Sequence, residues 1–117
     1  MKVLVFDPNV DFARRAVEFL RENVRDTTAD LASNIFVLRK RLQEDTWDFV
    51  LADVTAAGFM GDVIDELKSV QCPVVVWSTL TDSVYADKHI LEKFKLIRKP
   101  ITAGELSRTI NTLVETA

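Results

Sequence analysis

The sequence predicts an α/β fold, one five-stranded parallel sheet wound on both faces by helices, with strand order 2-1-3-4-5. Three observations lead there. Five short runs suited to strands alternate with segments whose apolar residues recur at helical spacing, the pattern of repeated βα units. Three of the runs, 3–6 (VLVF), 49–52 (FVLA) and 74–77 (VVVW), are apolar at every position rather than every second one, as strands covered on both faces are. The 117 residues, 48% hydrophobic and 28% charged, fit one domain, 1–117, with a core large enough to fold unaided. Right-handed crossovers then set the strand order.

The first strand is expected at 2–7. In the helix that follows, Ala13, Ala16, Val17, Leu20 and Val24 share one face, and Arg14, Arg15, Glu18, Arg21 and Glu22 the other. A weak second strand is placed at 26–29. Ile35, Leu38 and Leu42 mark the second helix, with Asn34 as its N-cap. The third strand, 48–53, leads to a short helix around Val63, Ile64 and Leu67, and the fourth strand covers 73–78. A fourth helix is placed at 82–93, where Val84, Ile90, Leu91 and Phe94 share a face only in part. After the fifth strand, 95–98, Thr102 and Glu105 form a capping box for a helix with Leu106, Ile110, Leu113 and Ala117 on one side.

Composition narrows the function. No apolar run is long enough to cross a bilayer, and the short one after Met1 lacks a leader's cleavage site, so an unprocessed soluble chain is expected. Cys72 stands alone, which excludes an internal disulfide and suits a reducing, cytoplasmic setting. A net charge of −3 with scattered Lys and Arg offers no basic stripe for nucleic acid. Three glycines leave no phosphate-cradling loop. His89 has no neighbours at metal-ligand spacing. Trp77 is most simply core, and Trp47 belongs to the loop before the third strand.

In a sheet of this order, ligands bind beyond the carboxyl ends of the strands, where the strand order reverses. That rule selects Asp7, Asp53, Ser78 and Lys99. Taken singly, each acid suits a turn or cap and the lysine suits solvent. Four on one edge suit a site better.

Around these residues the chain resembles the receiver domains of response regulators. DFVLADVTAAGFMG (48–61) looks like their phosphoacceptor region, and VVVWST and RKP match their hydroxyl and lysine-proline motifs in order. The likeness runs from VLVFD to the final helix and implies a flavodoxin-like fold. It further implies transfer of a phosphoryl group to Asp53 from a histidine kinase or a phosphotransfer protein. Lys99 would pair with the phosphoryl oxygens, Ser78 would donate a hydrogen bond, and the backbone amides after Asp53 would meet a third oxygen. Mg²⁺ would be held by Asp7, Asp53 and the backbone carbonyl of Thr55, and the Lys99–Pro100 peptide would be cis.

The chain departs from the family at several points. Pro8 stands where a second acid is usual, so Mg²⁺ binding is expected to be weak. Asn9 could offer an amide oxygen in its place, or cap the first helix. Thr79 replaces a small residue and narrows access. Leu96 replaces the usual switch aromatic, with Phe94 either substituting for it or serving as a core or edge aromatic. The expected output face pairs Lys88, Glu92 and Lys93 with Glu105 and Arg108, giving a monomer or a weak homodimer.

Two alternatives stand beside the phosphorylated receiver. One is a pseudo-receiver that works as a protein-interaction module without phosphorylation. The other is a phosphatase, because VFDPNVDF also resembles the nucleophile motif of haloacid-dehalogenase-like enzymes. That family has a second acid where Asn9 stands, and it leaves Asp53 without a role.

Overall fold

The computed structural model describes residues 1–53, 60–78, 94–99 and 102–116. In chain order the elements are β1 (Lys2–Phe6), α1 (Val10–Asn23), β2 (Thr28–Ala32), α2 (Ile35–Glu44), β3 (Phe49–Ala52), α3 (Met60–Lys68), β4 (Val74–Ser78), β5 (Lys95–Arg98) and α4 (Ala103–Thr116). The five strands form one sheet in the order β2-β1-β3-β4-β5, and every neighbouring pair is parallel. The helix expected at 82–93 lies outside the described residues, together with Thr79 and His89.

Strand alternation sorts the core into two halves. Leu4, Phe6, Val50, Ala52, Val74 and Val76 face Leu38 of α2 and Val63, Ile64 and Leu67 of α3. Their sequence neighbours Val3, Val5, Phe49, Leu51, Val75 and Trp77 face Ala13, Ala16, Val17 and Leu20 of α1, and Leu106 and Ile110 of α4. Neither face of the central strands meets water, which is why their sequences are apolar throughout. Phe94 is buried in the first half and Leu96 packs against it, so Phe94 is a core aromatic. Cys72 is half-buried beside the same cluster.

Caps start the helices where the sequence places them. The side-chain oxygen of Asn9 accepts from Phe12 N–H at 3.1 Å, and that of Asn34 accepts from Val37 N–H at 2.9 Å. The Thr102 hydroxyl oxygen accepts from Glu105 N–H at 3.1 Å. Trp47, in the loop before β3, donates its indole N–H to the Arg41 carbonyl at 3.1 Å.

The second strand differs from expectation. It covers Thr28–Ala32 rather than 26–29, because the chain is still turning at Asp26, whose φ of 56° lies in the left-handed region. As an edge strand it needs only two buried residues, Ala29 and Ala32, and Asp30 and Thr28 hide it from an apolar pattern.

Leu51 is fully buried on a strand flanked on both sides. Leu51→Ala is therefore expected to lower the unfolding free energy by about 2–5 kcal/mol. Phe36→Ala, at a side chain 74% exposed, should stay within about 0.5 kcal/mol. Urea denaturation of the two variants measures both.

Candidate functional site

Each site residue sits at the carboxyl end of a strand and is fixed there by the sheet itself. Asp7 lies one position beyond β1, yet its N–H still reaches the Ala32 carbonyl at the end of β2, at 3.0 Å. Asp53, one beyond β3, donates to the Phe6 carbonyl at 2.9 Å, and Lys99, one beyond β5, donates to the Ser78 carbonyl at 2.9 Å. The ladder thus continues for one residue past the strands and aims these side chains over one edge. Three of the four strand-end residues, Asp7, Asp53 and Lys99, come into contact, and Ser78 is fully buried as the last residue of β4. Thr55, the amides after Asp53, and the Lys99–Pro100 peptide fall outside the described residues.

The Lys99 ammonium bridges the two acids. It donates to Oδ2 of Asp53 at 3.0 Å and forms an ion pair with Oδ2 of Asp7 at 2.7 Å. Asp7 is fully buried, Asp53 is 6% exposed, and the Lys99 side chain keeps 11% of its surface. The other Asp7 oxygen, Oδ1, accepts from the Asn9 N–H at 2.8 Å.

Burial pushes the Asp7 pKa above the ordinary 3.8, and the Lys99 ammonium and the Asn9 N–H recover only part of the rise. For Lys99, burial alone would lower the pKa. The attraction of the two carboxylates outweighs it and carries the amine above its ordinary 10.5. The contact therefore protects the charge of the amine more completely than that of Asp7.

The sequence left Asn9 with two roles, and the structure assigns its amide oxygen to the cap of α1. Among the described residues, the pocket's carboxylate donors for a hard cation are then Asp7 and Asp53. Among the described residues no group of three Asp, Glu, His or Cys could hold a metal. Mg²⁺ takes one or two carboxylates and fills its octahedron with water and phosphate, so the pair fits at the lower limit. Oδ2 of Asp7, buried and without a hydrogen bond among the described residues, is a suitable ligand atom. A cation there would compete with Lys99.

Phe12 is the pocket residue that sequence reasoning missed. The centroid of its ring lies 4.4 Å from the Lys99 ammonium, and it meets Trp77 edge to face at 4.9 Å. In the sequence it is one more apolar residue at a helix start, with no signal that it would reach a lysine 87 positions away in the chain.

The sequence matches no protein-family model and no curated protein. Solved structures do match. The signal receiver domain of a DNA-binding response regulator from Colwellia psychrerythraea is similar at 24% identity and a TM-score of 0.74, over 98% of both chains. The response regulator TrrA of Thermotoga maritima, solved in complex with Mg²⁺-BeF, is similar at 20% identity and a TM-score of 0.74, over 96% of this chain and 97% of that one. The fold is that of response-regulator receiver domains. The receiver fold alone does not carry a function. A de novo designed Rossmann 2x3 protein also matches, at 11% identity and a TM-score of 0.74 over 99% of this chain and 90% of its own.

The raised pKa of Asp7 gives a pH signature. A group whose pKa is higher in the folded state contributes stability that is fully present below its unfolded value, here 3.8, and is lost as pH rises through the folded value. Asp7→Asn keeps an oxygen for the Asn9 N–H and removes the titration. Relative to the native chain, the variant should gain stability as pH rises above 3.8 and hold a constant advantage once Asp7 is ionised in both states. Urea denaturation between acid and neutral pH measures this difference, and a variant less stable by the same amount at every pH would contradict it.

Proposed function

We propose that residues 1–117 form a receiver domain of two-component signalling that accepts a phosphoryl group on Asp53. The observation that carries this reading is the buried lysine held between two carboxylates at the sheet edge. Both acids could in principle attack phosphorus, and their surroundings favour one. Asp7 is fully buried, with one oxygen on the Asn9 N–H and the other against Lys99, whereas Asp53 keeps a small exposed surface. The same contrast argues against a phosphatase that uses Asp7 as its nucleophile.

The donor is a phosphohistidine of a histidine kinase or a phosphotransfer protein. An Asp53 oxygen attacks phosphorus, the P–N bond to the donor imidazole breaks, and the ring leaves with the bonding pair. The transferred group brings its own negative oxygens. Lys99, already 3.0 Å from Asp53, meets one of them and Ser78 donates to another. When bound, Mg²⁺ supplies further charge neutralisation. Asp7 and Asp53 would hold it, with the Thr55 carbonyl as a further ligand, and the missing acid at Pro8 makes its binding weak, on the order of millimolar or weaker.

Among the described residues no helix is long and apolar enough to cross a membrane, and the proposed partners place the domain in the cytoplasm. Its output is a protein contact through the face that includes Glu105 and Arg108 of α4. Lys88, Glu92 and Lys93, which complete that face in the sequence, lie outside the described residues. A monomer or a weak, salt-sensitive homodimer is the expected state.

A second reading is favoured by Pro8 together with the commitment of Asn9 to the helix cap. With Lys99 already balancing the carboxylates, the domain could serve as an interaction module without phosphorylation. Incubation with acetyl phosphate and Mg²⁺, followed by intact-mass analysis, separates the two. The receiver reading expects one phosphoryl group per chain, absent in Asp53→Asn and slowed in Lys99→Met. No labelling at any Mg²⁺ concentration would leave the interaction module.

Pro8→Asp restores an acid at the pocket. It should tighten Mg²⁺ binding at least about tenfold, equivalent to ~1.4 kcal/mol, and speed labelling of Asp53. Calorimetric titration and the same mass assay measure both effects, and no gain in either would place the missing ligand elsewhere.

A further inference from the structure

The geometry points to Phe12 as a positioning residue that holds the Lys99 ammonium at the carboxylate pair through the face of its ring. The inference deepens the receiver reading and rests on it for the roles of Asp53 and Mg²⁺.

With 11% of its surface exposed, the Lys99 side chain has little water around it, and its charge must be met by protein groups. Asp53 takes a hydrogen bond and Asp7 an ion pair. The third neighbour is the ring of Phe12, whose centroid at 4.4 Å is well inside the range where an aromatic quadrupole attracts a cation. The effect is larger for a desolvated cation than for an exposed one.

The ring is held in place from two directions. Its backbone N–H is tied to the Asn9 cap at 3.1 Å, which fixes the first turn of α1 against the strand end that carries Asp7. Its ring meets Trp77, a fully buried residue of β4, at 4.9 Å and an interplanar angle of 68°. Core packing alone would be served by leucine, which fills similar space and offers no negative face. Phe12 is only half-buried and lines the hollow between α1 and α4, so its contribution to packing is limited.

The ring and the two carboxylates together retain Lys99. A divalent cation must displace the amine from that arrangement, and an incoming phosphoryl group finds the amine already in place. Removing the ring should therefore act in opposite directions on the two events. Metal binding becomes easier and phosphoryl transfer slower. A residue that only packs would weaken both.

The test uses the native chain, Phe12→Leu and Phe12→Tyr. In carbon–proton NMR spectra without metal, the ε-methylene protons of Lys99, assigned by their loss in Lys99→Met, should lie upfield of those of the other lysines. The shift should persist in Phe12→Tyr and vanish in Phe12→Leu. Phe12→Leu should also bind Mg²⁺ more tightly, by about twofold to thirtyfold, the ratio that a ring contact of this kind corresponds to, and take phosphoryl from acetyl phosphate more slowly, with Phe12→Tyr close to native in both. An unshifted Lys99 resonance in the native chain, a shift that survives Phe12→Leu, or equal or weaker Mg²⁺ binding by Phe12→Leu would overturn the proposal. A native chain that neither binds Mg²⁺ nor accepts phosphoryl sinks the receiver reading instead. The resonance position, which needs neither event, still decides the Phe12 contact, and Phe12→Tyr supplies the comparison if Phe12→Leu fails to fold.

Discussion

Parallel pairing is the constraint on which the rest of this structure depends. When all five strands run the same way, their carboxyl ends lie along one edge, and whatever follows each strand is delivered there. Each crossover must then pass over a face of the sheet, so helices cover both faces and the central strands become apolar throughout. The same ladder extends one residue beyond β1, β3 and β5 through the N–H groups of Asp7, Asp53 and Lys99. Three charged side chains separated by up to 92 positions are thereby held within 3.0 Å contacts without a loop of their own to position them.

Withdrawing those charges from water opposes folding, and the arrangement of the core offsets it. Val5, Leu51 and Val75 on one face, and Leu4, Val50 and Val76 on the other, bury apolar surface directly behind the pocket. Burial holds the Asp7 pKa up despite the ammonium beside it, so the pocket keeps a carboxylate under electrostatic tension. A site relaxed in isolation would have little reason to bind an added cation or to reorganise around a new anion. This compromise between local stability and local readiness is typical of places where proteins do chemistry.

Most of the architecture was legible in the sequence because it rests on local chemistry. Continuous apolar runs identify the buried strands, and Asn34 and Thr102 announce the helix starts they cap. The edge strand β2 was misplaced because an edge needs few apolar residues, and the left-handed turn at Asp26 carries no glycine to signal it. Asp7, Asp53, Ser78 and Lys99 could be picked out because topology alone brings strand ends together. Two features were beyond such reasoning. Whether Asn9 caps a helix or faces a cation depends on where one oxygen points, and the meeting of Phe12 with Lys99 depends on the depth at which α1 packs on the sheet.

The chain of contacts from Lys99 through Phe12 to Trp77 has an optical consequence. The indole of Trp77 is fully buried, and its N–H has no partner among the described residues. The Lys99 ammonium lies over the ring of Phe12, which in turn meets the indole edge to face. Indole emission responds to the local electric field, so any displacement of that ammonium is reported as a change in colour or brightness. Trp47, near the opposite edge beside Lys2, is distant from this charge and supplies a steady background. The fold thus contains its own voltmeter for the pocket, legible without a label.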